Sequence, residues 1–263
     1  MIIAKPLIRP FRIQPLLLKQ RPKKGGFMTL AAAFRCPKGG ILLCSDQEWN
    51  DAGSKRSINK NYRIGNLESC EFFISGAGPD IPISRAWEEI HNALAQAERN
   101  GIDLVVGHRE IIELTLQTVH KMFAKLLKNY PMNLLVICAP RSLNRVPMLY
   151  RSDGAALDHA SFYYAVGSGK PIADYLADRL YEHGKLSKQE LATLAAFILR
   201  EAGDSSIGVG MGANMIFIHE GEKVMHFISP GVIKEMQDGI PNLADAIRSY
   251  WSGRLNFPDW YAS

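Results

Sequence analysis

The order of its apolar patterns constrains this chain more than any single residue. Strand-length apolar runs and stretches of helical periodicity alternate in blocks, not one by one. Residues 29–36 and 40–46 read as two strands around the turn Pro37-Lys38-Gly39-Gly40. A stretch rich in Ser, Lys and Asn follows, then a strand over 71–75 that runs into Ser75-Gly76-Ala77-Gly78-Pro79. Ala86, Trp87, Ile90, Leu94 and Ala97 recur at helical spacing until Asn100-Gly101, and Ile111, Ile112, Leu116, Val119, Phe123, Leu126 and Leu127 continue it in a second helix that ends before Pro131.

Three strands are expected over 134–139, 147–151 and 162–166, closed by Gly167-Ser168-Gly169. A helix over 172–183 comes next, then one opened by the capping box Ser187-Lys188-Gln189-Glu190 and running to 201. Strands over 209–219 and 224–228 and a short helix over 244–250 complete the pattern. Helices in pairs and strands in hairpins argue against alternating βα units. The order fits an α+β four-layer αββα sandwich, two antiparallel sheets between two layers of helices.

The chain carries 31 Lys and Arg against 26 Asp and Glu, a formal +5, which raises the question of a nucleic-acid partner. Lys5, Arg9, Arg12, Lys19, Arg21, Lys23 and Lys24 lie in the first 27 residues, which contain no acid. Beyond them 24 basic residues face 26 acidic ones, so no basic surface for nucleic acid is expected. Residues 1–27 form a leader with prolines at 6, 10, 15 and 22, and Leu16-Leu17-Leu18 is too short for a signal-peptide core. An organelle transit segment, a disordered arm and a start codon placed too early all fit such a leader, and its lack of Ser weighs against the first. Residues 28–263 are expected to form one domain. No apolar run approaches the ~20 residues of a membrane span. Cys36, Cys44, Cys70 and Cys138 show no CxxC spacing and read as buried free thiols of a reducing cytoplasm.

Two familiar motifs fail. Gly169-Lys170 lacks the earlier glycine of a phosphate loop, where Tyr164 stands, and has Pro171 in place of Ser or Thr. Ser168 is flanked by Val166 and Lys170 where a nucleophile elbow needs glycines. The seven histidines form no HExxH or comparable pair.

A different set of motifs succeeds by order. Thr29 opens the first strand, Asp46 ends the second in GILLCSD, Lys60 begins KNYRI, and ISGAGPD, Gly167-Ser168-Gly169 and Asp204 in REAGDSSIGVG follow. Singly, a strand Thr, a turn Asp and a loop Lys are ordinary. Together, over about 200 residues, they resemble the proteasome β-type subunits of the N-terminal-nucleophile hydrolases, including the bacterial HslV and Anbu homologues.

The resemblance implies a threonine-type endopeptidase that hydrolyses polypeptide amide bonds inside a self-assembled homo-oligomeric ring, and it admits an AAA+ unfoldase ATPase as partner. It implies Thr29 as nucleophile, with its own free α-amine or a water held by it taking the hydroxyl proton. Lys60 would favour the deprotonated forms, Asp46 would hold Lys60, Ser168 and Asp204 would surround the amine, and backbone N–H groups near Gly76 would receive the oxyanion. No metal or organic cofactor is required. Because Met28, not Gly, precedes Thr29, the resemblance implies a start at Met28 and removal of that methionine rather than self-cleavage. The chain departs from the family at Ile207, where a Ser is frequent, at Leu30 and Glu48, and at Ser75, near a usual Gly. A non-catalytic ring subunit and an amidase acting on a small amide are the alternative readings.

Overall fold

The structure is a computed structural model that describes residues 29–239, apart from 52, 53, 58, 59, 143, 144, 206–208, 211 and 220–224. The leader 1–27, Ile207 and the helix expected over 244–250 lie outside the described residues.

The chain opens with β1 (Leu30–Arg35), a 3₁₀ turn over Pro37–Gly39 and β2 (Ile41–Asp46), the expected hairpin. A second hairpin, β3 (Glu48–Asp51) and β4 (Ser54–Ser57), occupies the polar stretch, and β5 (Asn61–Ile64) leads into β6 (Cys70–Ala77). The helices α1 (Asp80–Arg99), α2 (Leu104–Met122) and a single turn α3 (Ala124–Leu127) follow. Then come β7 (Asn133–Pro140), β8 (Met148–Asp153), β9 (Ala156–His159) and β10 (Tyr163–Gly167). The helices α4 (Lys170–Leu180) and α5 (Lys188–Ser205), the strands β11 (Ala213–Ile218) and β12 (Met225–Ile228), and α6 (Pro230–Gly239) end the described chain.

Two five-stranded antiparallel sheets result, ordered β10-β1-β2-β11-β12 and β5-β6-β7-β8-β9. Their central strands are apolar on both faces, which is what a strand covered on both sides requires. Leu30, Ala32 and Phe34 of β1 face α4 and α5, packing with Ala173, Leu176, Leu191, Ile198 and Leu199. Ala31 and Ala33 point the other way, into a layer shared with Phe73, Leu135 and Ile137 of the second sheet. Phe72 and Ile74 of β6 and Leu134 and Val136 of β7 then meet Ile90, Leu94, Ile112 and Leu116 of α1 and α2. The fold is therefore the four-layer αββα sandwich.

Several boundaries moved for identifiable reasons. Helix α1 begins four residues before Ser84, because Pro82 sits in the first turn, where a missing N–H costs nothing. Helix α2 begins at Leu104, capped by Asp103, whose side chain accepts from the Val105 N–H at 2.9 Å. The capping box forms as expected: the Ser187 N–H donates to Glu190 Oε2 at 2.7 Å and the Glu190 N–H to Ser187 Oγ at 3.2 Å. All four cysteines are buried free thiols, and burial pushes Cys36 up to about 11 and Cys44 to about 12.

One buried polar contact between helix and sheet makes stability depend on pH. His108 Nδ1 lies 2.7 Å from the Leu104 carbonyl and Nε2 lies 3.1 Å from the Tyr150 hydroxyl. With the proton on Nδ1, Nε2 accepts from Tyr150, so the neutral ring is the one that fits. Burial pushes His108 below its ordinary 6.5, the Leu104 carbonyl opposing, and burial acts in the same direction on His120, His159 and His219. A lowered folded pKa means that the unfolded chain binds more protons just below pH 6.5, so this stability is complete above about 6.5 and is lost as pH falls below it. Urea unfolding between pH 7.5 and 5 is expected to show that decline, with a shallower slope in His108→Gln.

Candidate active site

Thr29 stands at the head of β1, 5% exposed. Its hydroxyl donates to Asp46 Oδ1 at 2.5 Å and accepts from Lys60 Nζ at 2.6 Å. Lys60 Nζ also donates to Asp46 Oδ1 at 2.8 Å, closing a triangle of three side chains. The side chains of Asp46 and Lys60 are 0% and 7% exposed, so the ion pair is shielded from water.

Each member is delivered by a different piece of backbone. Asp46 is the last residue of β2, and the β1–β2 register places it beside Leu30, whose N–H donates to Oδ1 at 3.0 Å. Its other oxygen accepts from the Gly210 N–H at 2.9 Å. A buried carboxylate needs such donors in place of water. That last bond also explains why Val209, Gly210 and Gly212 stay outside the expected strand: Gly210 spends its N–H on Asp46. Lys60 precedes β5 and so comes from the opposite sheet. Its carbonyl accepts from the Ser75 hydroxyl of β6 at 3.1 Å, which makes Ser75 a support for the lysine.

The Gly167-Ser168-Gly169 turn closes over the backbone of Thr29. Ser168 Oγ and the Gly169 N–H each approach the Thr29 carbonyl at 3.4 Å. Gly167 has φ +103, and a Cβ there would lie 2.0 Å from the Thr29 carbonyl oxygen. Gly76 is buried near the end of β6, where a Cβ would stand 2.5 Å from Leu134 Cδ2. Ala77, its neighbour, reaches the Gly167 turn, with its Cβ 3.2 Å from the position a Gly167 Cβ would take. Beside this junction opens a cleft of about 480 Å³ lined by Ala77, Gly78, Tyr164, Gly167, Ser168 and Lys170 among others.

The structure thus brings Thr29, Asp46, Lys60 and Ser168 together and puts Gly76 in the strand that flanks them. Asp204 is exposed in the last turn of α5, and among the described residues it makes no hydrogen bond to Thr29. Ser75 and Gly210 were not singled out by the sequence as supports. A serine before a Gly-Ala-Gly turn carries no signal of what its hydroxyl meets, and Gly210 acts through its backbone. Among the described residues no three His, Cys, Asp or Glu side chains gather as a metal site.

The αββα sandwich is shared with solved structures of Anbu, so the resemblance read from the sequence holds at the level of fold. Anbu from Hyphomicrobium sp. strain MC1 superposes with a TM-score of 0.69 at 15% identity, over 87% of this chain and 99% of that one. The (Gly-1) mutant of that Anbu gives 0.68 at 16% identity over 88% and 99%. Anbu (ancestral beta-subunit) from Yersinia bercovieri gives 0.67 at 14% identity over 88% and 98%. No protein-family model and no curated protein sequence matches the chain.

The glycine turn yields a direct test. Gly184 also has a positive φ, +78, but nothing stands within 4 Å of its Cβ position. Gly184→Ala is expected to cost about 1 kcal/mol, from backbone strain alone. Gly167→Ala adds a clash with Thr29 and is expected to cost about 3 kcal/mol or more. Urea denaturation of the two variants measures the difference.

Proposed function

We propose that the chain is a threonine peptidase that hydrolyses polypeptide amide bonds with Thr29 as an N-terminal nucleophile. The observation that carries this reading is the Thr29 hydroxyl, bonded at once to a buried carboxylate and a buried ammonium. A structural threonine needs one partner, whereas a nucleophile needs a group that holds its oxygen and a charge that favours its alkoxide.

The residues divide the work. Thr29 Oγ attacks the scissile carbonyl while its proton passes to the free α-amine or to a water held there. The Lys60 ammonium, 2.6 Å away, lowers the cost of negative charge on that oxygen. Asp46 keeps Lys60 and Thr29 in register. Backbone N–H groups near Gly76 receive the oxyanion of the tetrahedral intermediate. Its collapse expels the leaving amine, which takes up the proton, and leaves an ester on Thr29 that water then hydrolyses. Ser168 braces the Thr29 carbonyl.

The proteasome-like fold extends the proposal to assembly. The chain forms a homo-oligomeric ring in the cytoplasm that encloses its sites and admits unfolded polypeptide, with an AAA+ unfoldase ATPase as the natural partner class. Residues 1–27 are absent from the active form and Met28 is removed from it, because Thr29 needs a free amine. A second reading, a non-catalytic ring subunit, draws on one observation: Asp204 is exposed at the end of α5, whereas Thr29, Asp46 and Lys60 are buried.

Turnover of short fluorogenic peptides by a chain that begins at Thr29 separates the two. Thr29→Ala is expected to lower kcat more than about 10³-fold, because the nucleophile is gone. Lys60→Met is expected to lose turnover and also about 3 kcal/mol of stability, since it strands a buried carboxylate. Activity that survives Thr29→Ala would reject the peptidase reading, and a wild-type chain inactive on all peptides would favour the ring subunit.

A further inference from the structure

We infer that Gln47 and Asn214 are positioning residues: through the strap that carries Val209, Gly210 and Gly212 they lock the rotation of the Asp46 carboxylate and so keep it aligned with Thr29 and Lys60. The inference rests on the peptidase reading and adds to it a control outside the Thr29, Asp46 and Lys60 triangle.

The three donors Thr29 Oγ, Leu30 N and Lys60 Nζ all converge on Oδ1 of Asp46. The terminal torsion of an aspartate is broad and roughly two-fold, so convergence on one oxygen does not by itself stop the group from rocking. The contact that resists it is on Oδ2, where the Gly210 N–H donates at 2.9 Å. The alignment of the site is therefore as firm as the hold on Gly210.

Two residues beyond Gly210, Gln47 holds Gly212. Its N–H donates to the Gly212 carbonyl at 2.9 Å, extending the β2–β11 pairing one step beyond Asp46 and Ala213. Its side-chain amide donates to Asn214 Oδ1 at 2.6 Å. Gly212 lies under that side chain: a Cβ there would be 2.8 Å from Gln47 Oε1 and 3.0 Å from Gln47 Cβ. The other end of the strap is fixed by packing. Val209 is buried, and its Cγ2 is 3.0 Å from where a Gly169 Cβ would stand. Gly169 in turn reaches the Thr29 carbonyl. The strap consequently packs at Val209 against Gly169, which bonds the Thr29 carbonyl, and bonds the Asp46 carboxylate through Gly210, with the Gln47–Asn214 pair tying down its far end. Gln47 and Asn214 touch no reacting atom. They act by limiting small displacements, to which a nucleophile's alignment is sensitive.

Peptide turnover and amide hydrogen exchange by NMR, measured on the same ring-competent chain beginning at Thr29, test this. Gln47→Met keeps the shape and removes the amide, and Gly212→Ala wedges the strap away from Gln47. Both are expected to lower kcat about tenfold or more with KM within about twofold, since alignment is lost and ground-state binding is not. The Gly210 amide is expected to exchange at least about tenfold faster in both. Wild-type kcat in the folded variants would overturn the inference, as would slow turnover with unchanged exchange at Gly210. If the wild type cleaves no peptide, the peptidase reading falls alone, and faster Gly210 exchange in the variants still upholds the clamp while unchanged exchange rejects it.

Discussion

The buried carboxylate of Asp46 imposes the condition that the rest of the structure meets. Removing a carboxylate from water costs several kcal/mol unless donors and a counter-charge replace the solvent. Here the replacements come from separate parts of the chain. Thr29 and Leu30 supply two donors from the head of β1, Gly210 one from the approach to β11, and Lys60 the positive charge from the opposite sheet. No local segment could assemble this set, so the site exists only once the two sheets have stacked.

Stacking in turn explains the character of the strands and turns. Strands β1, β2, β6 and β7 send apolar side chains to both faces because each is covered by helices on one side and by the other sheet on the second. Alanines 31 and 33 keep the inner face of β1 shallow where it meets Phe73 and Ile137. At the end of the sandwich, where Thr29 lies, glycines replace side chains altogether: Gly167 and Gly169 let their turn close on the threonine backbone, and Gly76 lets β6 pack against Leu134. Ser75 then holds the Lys60 carbonyl, so the lysine enters the site from a fixed backbone position.

Much of this was legible before any coordinates. Block-wise alternation of hairpins and helix pairs announced the sandwich, and the family resemblance carried by Thr29, Asp46 and Lys60 in their order implied that the three side chains meet. The failures share a physical cause, interactions that composition does not encode. The hairpin β3–β4 and the strand β5 hide in polar sequence because cross-strand bonding, not hydrophobic periodicity, defines them. The strand β9 follows the Asp153-Gly154 turn, with Gly154 at φ +66, too closely to show a period of its own. Helix α6 begins Pro230-Gly231, which reads as a turn, yet Pro suits a first helical position and Ser229 backs it with its carbonyl. Asp204, named by the motif order, is exposed in the last turn of α5.

The central claim is that the Thr29 oxygen is a nucleophile and not a structural hydroxyl. A peptide β-lactone tests it most directly, because ring opening by an activated hydroxyl leaves the whole reagent attached as an ester. The protein beginning at Thr29 would be incubated with the lactone, digested, and its N-terminal peptide weighed. The account predicts the full reagent mass on the peptide that starts at Thr29, and none in Lys60→Met. An unmodified Thr29, or an adduct on another residue in its place, would contradict it.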